Sequence, residues 1–356
     1  MKTRHIAYRA ATALSLWAAG LCCAQGMPPV KATLGGPLTL ADQGSFFVGG
    51  RSIHTDHPAS PAAAFLSPGE ITVDQMYVQY MVPAVVTGPP VIMVHGFNHT
   101  GATYETTPDG REGWATYFVR KGLPVYVVDQ PGRGRSGFDP TPFNKAKTTG
   151  DTSGQPSVPL YPIRFAWVGF RFGKEYPTPF PGMQFPLEAI GEYTKQLVPN
   201  LEDTLAKGWD TAPVDLAALL DRIGPAVLLV HSQAGGMGLG AAKLRPARTL
   251  AVVNVEGNCV PMSEGDVDQV FTKFPYLAVW GDNSVGAAGP VGDVRRNGCL
   301  DAVRAITQKK GTAEFALLSD HGMPGHSHMM MMDRGNLAIA EFILSWLKRN
   351  VKTPPG

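Results

Sequence analysis

The chain is a succession of short apolar runs separated by amphipathic or turn-rich stretches. Phe46-Phe47-Val48 and the run from Ile71 to Met81, where Val73, Gln75, Tyr77 and Gln79 alternate with Met76, Val78 and Tyr80, have a period of two. That period predicts antiparallel strands at one edge of a mixed sheet. Val91 to Val94 is apolar at every position, as are Val227 to Val230 and most of Leu250 to Val255 and Tyr276 to Trp280. Runs apolar on both faces belong to parallel strands covered by helices on either side. Val125 to Val128 and Phe315 to Leu318 complete the set, and amphipathic segments intervene, one with Trp114, Tyr117 and Phe118 on a stripe and the last with Leu337, Ala340, Ile343, Leu344 and Leu347. The alternation predicts an α/β protein, a mostly parallel sheet with helices on both faces.

Two segments break the rhythm. Residues 1–24 have a basic start (Lys2, Arg4, Arg9), an apolar stretch from Ala10 to about Leu21 and a small-residue end at Cys22-Cys23-Ala24, which predicts a signal peptide rather than a membrane span. Residues 138–209 are rich in Pro and Gly and dense in aromatics, among them Tyr161, Phe165, Trp167, Phe170, Phe172, Tyr176, Phe180 and Phe185. They are expected to form an inserted cap between two parts of one core, residues 25–137 and 210–356. The insertion leaves from the carboxyl end of a strand, where α/β sheets bind ligands, so its aromatics are expected to line an apolar substrate pocket. The competing expectation is that they fill the insertion's own small core.

Composition narrows the class. Removing residues 1–24 from the 356 leaves 332 and takes away three positive charges, so the formal balance passes from +2 to −1. That balance calls for neither nucleic acid nor an anionic membrane. No membrane anchor is expected, and a homodimer is one open oligomeric state. Cys259 and Cys299 are the cysteines left after cleavage, and in a secreted or periplasmic protein an isolated pair favours a disulfide.

The chemistry gathers at strand ends. Val-Leu-Leu-Val-His-Ser-Gln-Ala-Gly-Gly, residues 227–236, reads as a strand turning sharply into a helix with Ser232 at the turn. A serine hydroxyl is a poor nucleophile near neutral pH, so acyl transfer needs a base, a group that orients the base, and donors aimed at the developing oxyanion. Glu256 and Asp282 end the next two strands, and His321, His326 and His328 follow the last. The order serine, acid, histidine fits this topology. From the residues alone Asp282 ranks ahead of Glu256, because the acid more often follows the later strand. The backbone N–H groups of Phe97 and Gln233 are the candidate oxyanion donors, while His95 is expected to shape its turn rather than act as base.

These residues resemble a known family. His95-Gly96 through Gly101, Thr106-Thr107-Pro108-Asp109-Gly110-Arg111, Val127-Val128-Asp129-Gln130-Pro131-Gly132-Arg133-Gly134-Arg135-Ser136, His231-Ser232-Gln233, Val255-Glu256-Gly257 and His326-Ser327-His328-Met329-Met330-Met331-Met332 look like the secreted bacterial esterases of the Alcaligenes type, a branch of the α/β-hydrolase superfamily. The resemblance covers most of the chain after residue 24 and is weakest in the cap. It implies the α/β-hydrolase fold, Ser232 as nucleophile, His328 as base and Glu256 rather than Asp282 as the orienting acid. Two departures stand out: Phe97-Asn98 where the best-known member has two adjacent cysteines, and His326 where the family has asparagine, a second imidazole beside the base.

The expected function is therefore that of a secreted serine carboxylic ester hydrolase acting through an acyl-enzyme on small apolar or aromatic and cyclic esters, with no cofactor or metal. A lactonase or amidase would use the same residues. A reading from another class is a periplasmic copper-binding protein using the three histidines and Met329 to Met332, since imidazole and thioether suit copper.

Overall fold

A computed structural model describes residues 35–55, 68–200, 208–259, 262–287 and 292–352. Residues 1–24, expected to form a signal peptide, lie outside the described residues, as do residues 201–207 of the insertion.

Eight strands form one sheet: β1 (Leu40–Thr55), β2 (Gly69–Pro83), β3 (Val91–Val94), β4 (Val125–Asp129), β5 (Ala226–His231), β6 (Thr249–Val255), β7 (Tyr276–Trp280) and β8 (Ala313–Leu317). Their order across the sheet is β1-β2-β4-β3-β5-β6-β7-β8. β1 pairs antiparallel with β2 and β2 with β4, while every neighbour from β4 to β8 is parallel. The period-two segments are thus the antiparallel edge. β1 is far longer than its three-residue apolar core, because most of its other positions face solvent and carry no apolar signal.

The central strands β3, β5 and β7 are buried at every residue. Each passes alternate side chains to opposite layers. Val91 and Met93, with Val227 and Leu229, face the layer holding the helices Trp114–Arg120 and Asn336–Asn350; Ile92 and Val94, with Leu228 and Val230, face the helices Gly208–Ile223 and Ala234–Leu244. The chain crosses from strand to strand so that all carboxyl ends from β3 to β7 open onto one edge, where the catalytic candidates lie.

The insertion carries the short helices Thr141–Thr149, Ile163–Gly169 and Ile190–Lys195. Trp167, Phe170, Phe172, Phe185 and Tyr193 are buried and belong to the same apolar cluster as the sheet face beneath them. The aromatics therefore divide: most build a core shared with the domain, against the expected pocket lining, while Tyr161 is partly buried and Phe165 is 55% exposed. Phe172 and Phe185 stack at 4.1 Å within this shared core.

Candidate active site

Ser232 sits immediately after β5 with φ 56°, a left-handed conformation that costs a non-glycine residue about 1 kcal/mol or more. Hydrogen bonds on both sides hold it there. Its N–H donates to the Val255 carbonyl (3.1 Å), and its carbonyl accepts from the N–H groups of Gly235 (3.1 Å) and Asn258 (2.9 Å). A glycine is required at 96, because a Cβ there would stand 2.8 Å from the Ser232 Cβ. The β3 loop is therefore pressed directly against the Ser232 turn.

His328 reaches this turn from the loop after β8. Its Nε2 lies 2.8 Å from Ser232 Oγ and its Nδ1 lies 2.5 Å from Glu256 Oε2. A carboxylate only accepts, so Nδ1 carries the proton and Nε2 is free to accept from the serine hydroxyl. Glu256, also left-handed at φ 48°, ends β6 and receives the Gly281 N–H on Oε1 at 2.8 Å. All three side chains are buried. Burial, followed by the charges of Arg171 and Arg295, holds the His328 imidazole well below its ordinary pKa.

Asp282 is placed elsewhere. Both its carboxylate oxygens accept from the Gly325 N–H, at 2.9 and 3.1 Å, which fixes the start of the histidine loop. His326 also supports that loop: its Nδ1 pairs with Asp333 Oδ2 at 3.1 Å, and Asp333 takes the Ser327 N–H and hydroxyl at 2.7 Å each. His321 is exposed against Phe342. Met329 to Met332 occupy turns rather than a helix, and all four are fully buried in the apolar core. The three imidazoles thus go to three different places, and no cluster of His, Cys, Asp or Glu able to hold a metal occurs among the described residues.

On the oxyanion side, buried Arg133 bridges the two loops that carry Phe97 and Gln233. It donates to the Gly96 carbonyl at 2.5 Å and to the Gln233 side-chain oxygen. His95 accepts the Gln130 N–H on Nε2 (3.0 Å) and faces the Gly96 carbonyl with Nδ1 (3.0 Å), a neutral ring shaping its turn. Burial lowers its pKa to about 3, with Arg133 adding to the effect. Asn98, at φ 57°, ties this loop to the insertion: its amide donates to the carbonyls of Pro159 and Val198, and its side-chain oxygen accepts from Tyr161 N.

No family model matches the chain. It is 30% identical over 334 residues to the probable secreted lipase phiG of Fungal sp., covering 77% of this chain and 86% of that protein. The chain belongs to this family of esterases and lipases, on the α/β-hydrolase fold. The solved structure of a bacterial esterase superposes with a TM-score of 0.83 at 39% identity, covering 89% of this chain and 98% of that one.

In this esterase the cationic residues around the site are what sequence reasoning missed. Arg171, from the insertion and left-handed at φ 58°, is buried against Glu256 and hydrogen-bonds the same Oε2 that His328 uses. Phe170 beside it lies parallel to the His328 ring at 5.8 Å and accepts the His328 N–H at 2.9 Å. Arg295, near the start of the helix Asp293–Gln308, donates from Nη1 to Ser232 Oγ at 3.2 Å. The Cys259–Cys299 disulfide is formed, with an S–S distance of 2.06 Å. It joins the loop after Glu256 to the helix face that carries Arg295, four residues earlier.

Proposed function

We propose that the chain is a secreted serine carboxylic ester hydrolase in which Ser232 is the nucleophile, His328 the general base and acid, and Glu256 the group that orients and stabilises the imidazolium. As Ser232 Oγ attacks the ester carbonyl its proton passes to His328 Nε2, and the oxyanion is received by the N–H groups of Phe97 and Gln233. His328 then returns the proton to the leaving alcohol, and water, activated by the same ring, releases the acid. The observation that carries this reading is the relay itself: 2.8 Å from serine to imidazole and 2.5 Å from imidazole to carboxylate, with all three side chains buried. The partly open rings of Tyr161 and Phe165, 4.4 Å apart, and of Phe97, 4.7 Å from Tyr161, suit small esters with apolar or aromatic parts. Secretion rests on the leader-like residues 1–24 and on the name of the fungal relative.

Hydrolysis of 4-nitrophenyl esters by the protein and by Ser232→Ala, with a fluorophosphonate label on each, tests the reading. Activity lost by a factor of about 10³ or more in the variant, with label on Ser232 of the wild type alone, is expected. A folded wild-type protein that neither turns over esters nor takes the label would overturn it.

A further inference from the structure

The charges facing the triad do not balance. Glu256 is the carboxylate that touches His328, and it is already shared with Arg171. Arg295 stands beside Ser232 with no carboxylate within ion-pair distance among the described residues, and its buried Nε has no hydrogen-bond partner. A guanidinium has five donors in a planar fork and is costly to bury without an anion. Here one arm of the fork rests on the Ser232 oxygen and the buried Nε is left without an acceptor. The surplus positive charge also works against the chemistry, because His328 becomes an imidazolium when it takes the serine proton. Arg171 and Arg295 both disfavour that cation.

An anion delivered with the substrate would answer both problems. We propose that Arg295 is the binding residue for a carboxylate carried by the substrate, so that this site is built for esters of dicarboxylic or similarly acid-bearing molecules; the proposal rests on the serine hydrolase reading above. The distances limit where that carboxylate sits. Nη1 lies 3.2 Å from Ser232 Oγ and the guanidinium's other nitrogens about 2.3 Å beyond it, so a charge-assisted hydrogen bond of about 2.8 Å places the carboxylate oxygen within roughly 8 Å of Ser232 Oγ, a reach of up to about four carbon–carbon bonds from the scissile carbonyl. The rings of Tyr161 and Phe97, 4.7 Å apart, offer an aromatic surface to the intervening carbons. The disulfide at Cys299 holds the helix that presents the guanidinium.

The test compares mono-4-nitrophenyl glutarate with 4-nitrophenyl valerate, similar in length and differing in the terminal carboxylate. The readout is the ratio of their kcat/KM values in the wild type, Arg295→Gln and Arg295→Lys. The wild type is expected to prefer the anionic ester, Arg295→Gln to lower the ratio about 10- to 100-fold, and Arg295→Lys to recover part of it. Binding of monomethyl glutarate and methyl valerate to Ser232→Ala, with and without Arg295→Gln, reads the same preference without turnover. An unchanged ratio, or equal losses on both esters, would overturn the proposal by assigning Arg295 to the serine or to the fold. Should the wild type hydrolyse neither ester, the hydrolase reading fails, and the binding comparison still decides the carboxylate site.

Discussion

The two ends of the parallel strands solve the same turning problem with different materials. At the amino ends, left-handed positions just before β4 and β5 are taken by Gly122 and Gly224, which adopt them without strain. At the carboxyl ends, Asn98, Ser232 and Glu256 take such positions themselves, and Arg171 of the insertion joins them. The other non-glycine cases among the described residues are Asp74, paired with exposed Arg51, and Lys310, which precedes the amino end of β8 but is exposed. Charge divides the same way. Lys121 and Glu341 pair near the amino ends at 42% and 43% exposure, whereas Arg171 and Glu256 pair at 3% and 0%. The amino end even holds a cavity of about 530 Å³, lined in part by Thr87, Lys121, Leu123 and Glu341. Volume alone therefore does not mark a reactive site here. Strain and buried charge do, since both cost stability and persist where the surrounding structure over-determines them.

The largest expected effect lies within the buried end. Glu256→Gln keeps the shape and removes the charge, and should lower kcat by about 10³- to 10⁴-fold in ester hydrolysis, against less than about tenfold for Asp282→Asn. A larger loss for Asp282→Asn would move the acid back to the later strand. The depressed pKa of His328 sharpens the same contrast, because the base works only when unprotonated. The acid limb of kcat/KM should fall below the ordinary histidine value of 6.5, and Arg171→Gln should move it upward by removing a cation from the ring.

Asp215 separates burial from function. It lies in the helix Gly208–Ile223, away from the triad, and a Cβ at Gly49 would stand 1.8 Å from its Oδ1. Burial, with the charge of Asp74 added, raises its pKa to about 8. A carboxyl raised above its unfolded value keeps its contribution at pH below about 4 and loses it as pH climbs toward 8. Asp215→Asn should therefore be near neutral to stability at pH 4 and stabilising at pH 8.5 by on the order of 2 kcal/mol, read from urea midpoints. The smallest effect belongs to the amino end: Glu341→Gln, which removes the charge facing Lys121 and leaves an oxygen for Tyr117, should change stability by no more than about 0.5–1 kcal/mol and leave ester turnover untouched.

Period and apolarity were sufficient to place every strand, because each contains a stretch that alternates or is apolar throughout. They missed only length, as in β1, whose exposed residues carry no signal. Ser232 was legible from its strand-to-helix turn and a histidine after the last strand from order along the chain, but the choice of His328 among His321, His326 and His328, and of Glu256 over Asp282, needed the family resemblance, since both acids end consecutive strands and only the geometry of the histidine loop separates them. Arg133 sat inside a quoted motif without a visible partner. Arg171 and Arg295 were illegible for a stronger reason: one lies in an insertion with no period and the other near a helix start, and their contacts with the triad span 85 and 63 positions. The insertion's aromatics signalled burial correctly and could not say whether they bury against substrate or against the domain.

The Cys259–Cys299 link fastens the helix that presents Arg295 to the loop that follows Glu256. Two preparations of the same residues, one oxidised and one reduced at this link, differ by two hydrogen atoms. They need not share a substrate preference, so the thiol content of an expression host or an assay buffer becomes a variable of selectivity as well as of shelf life.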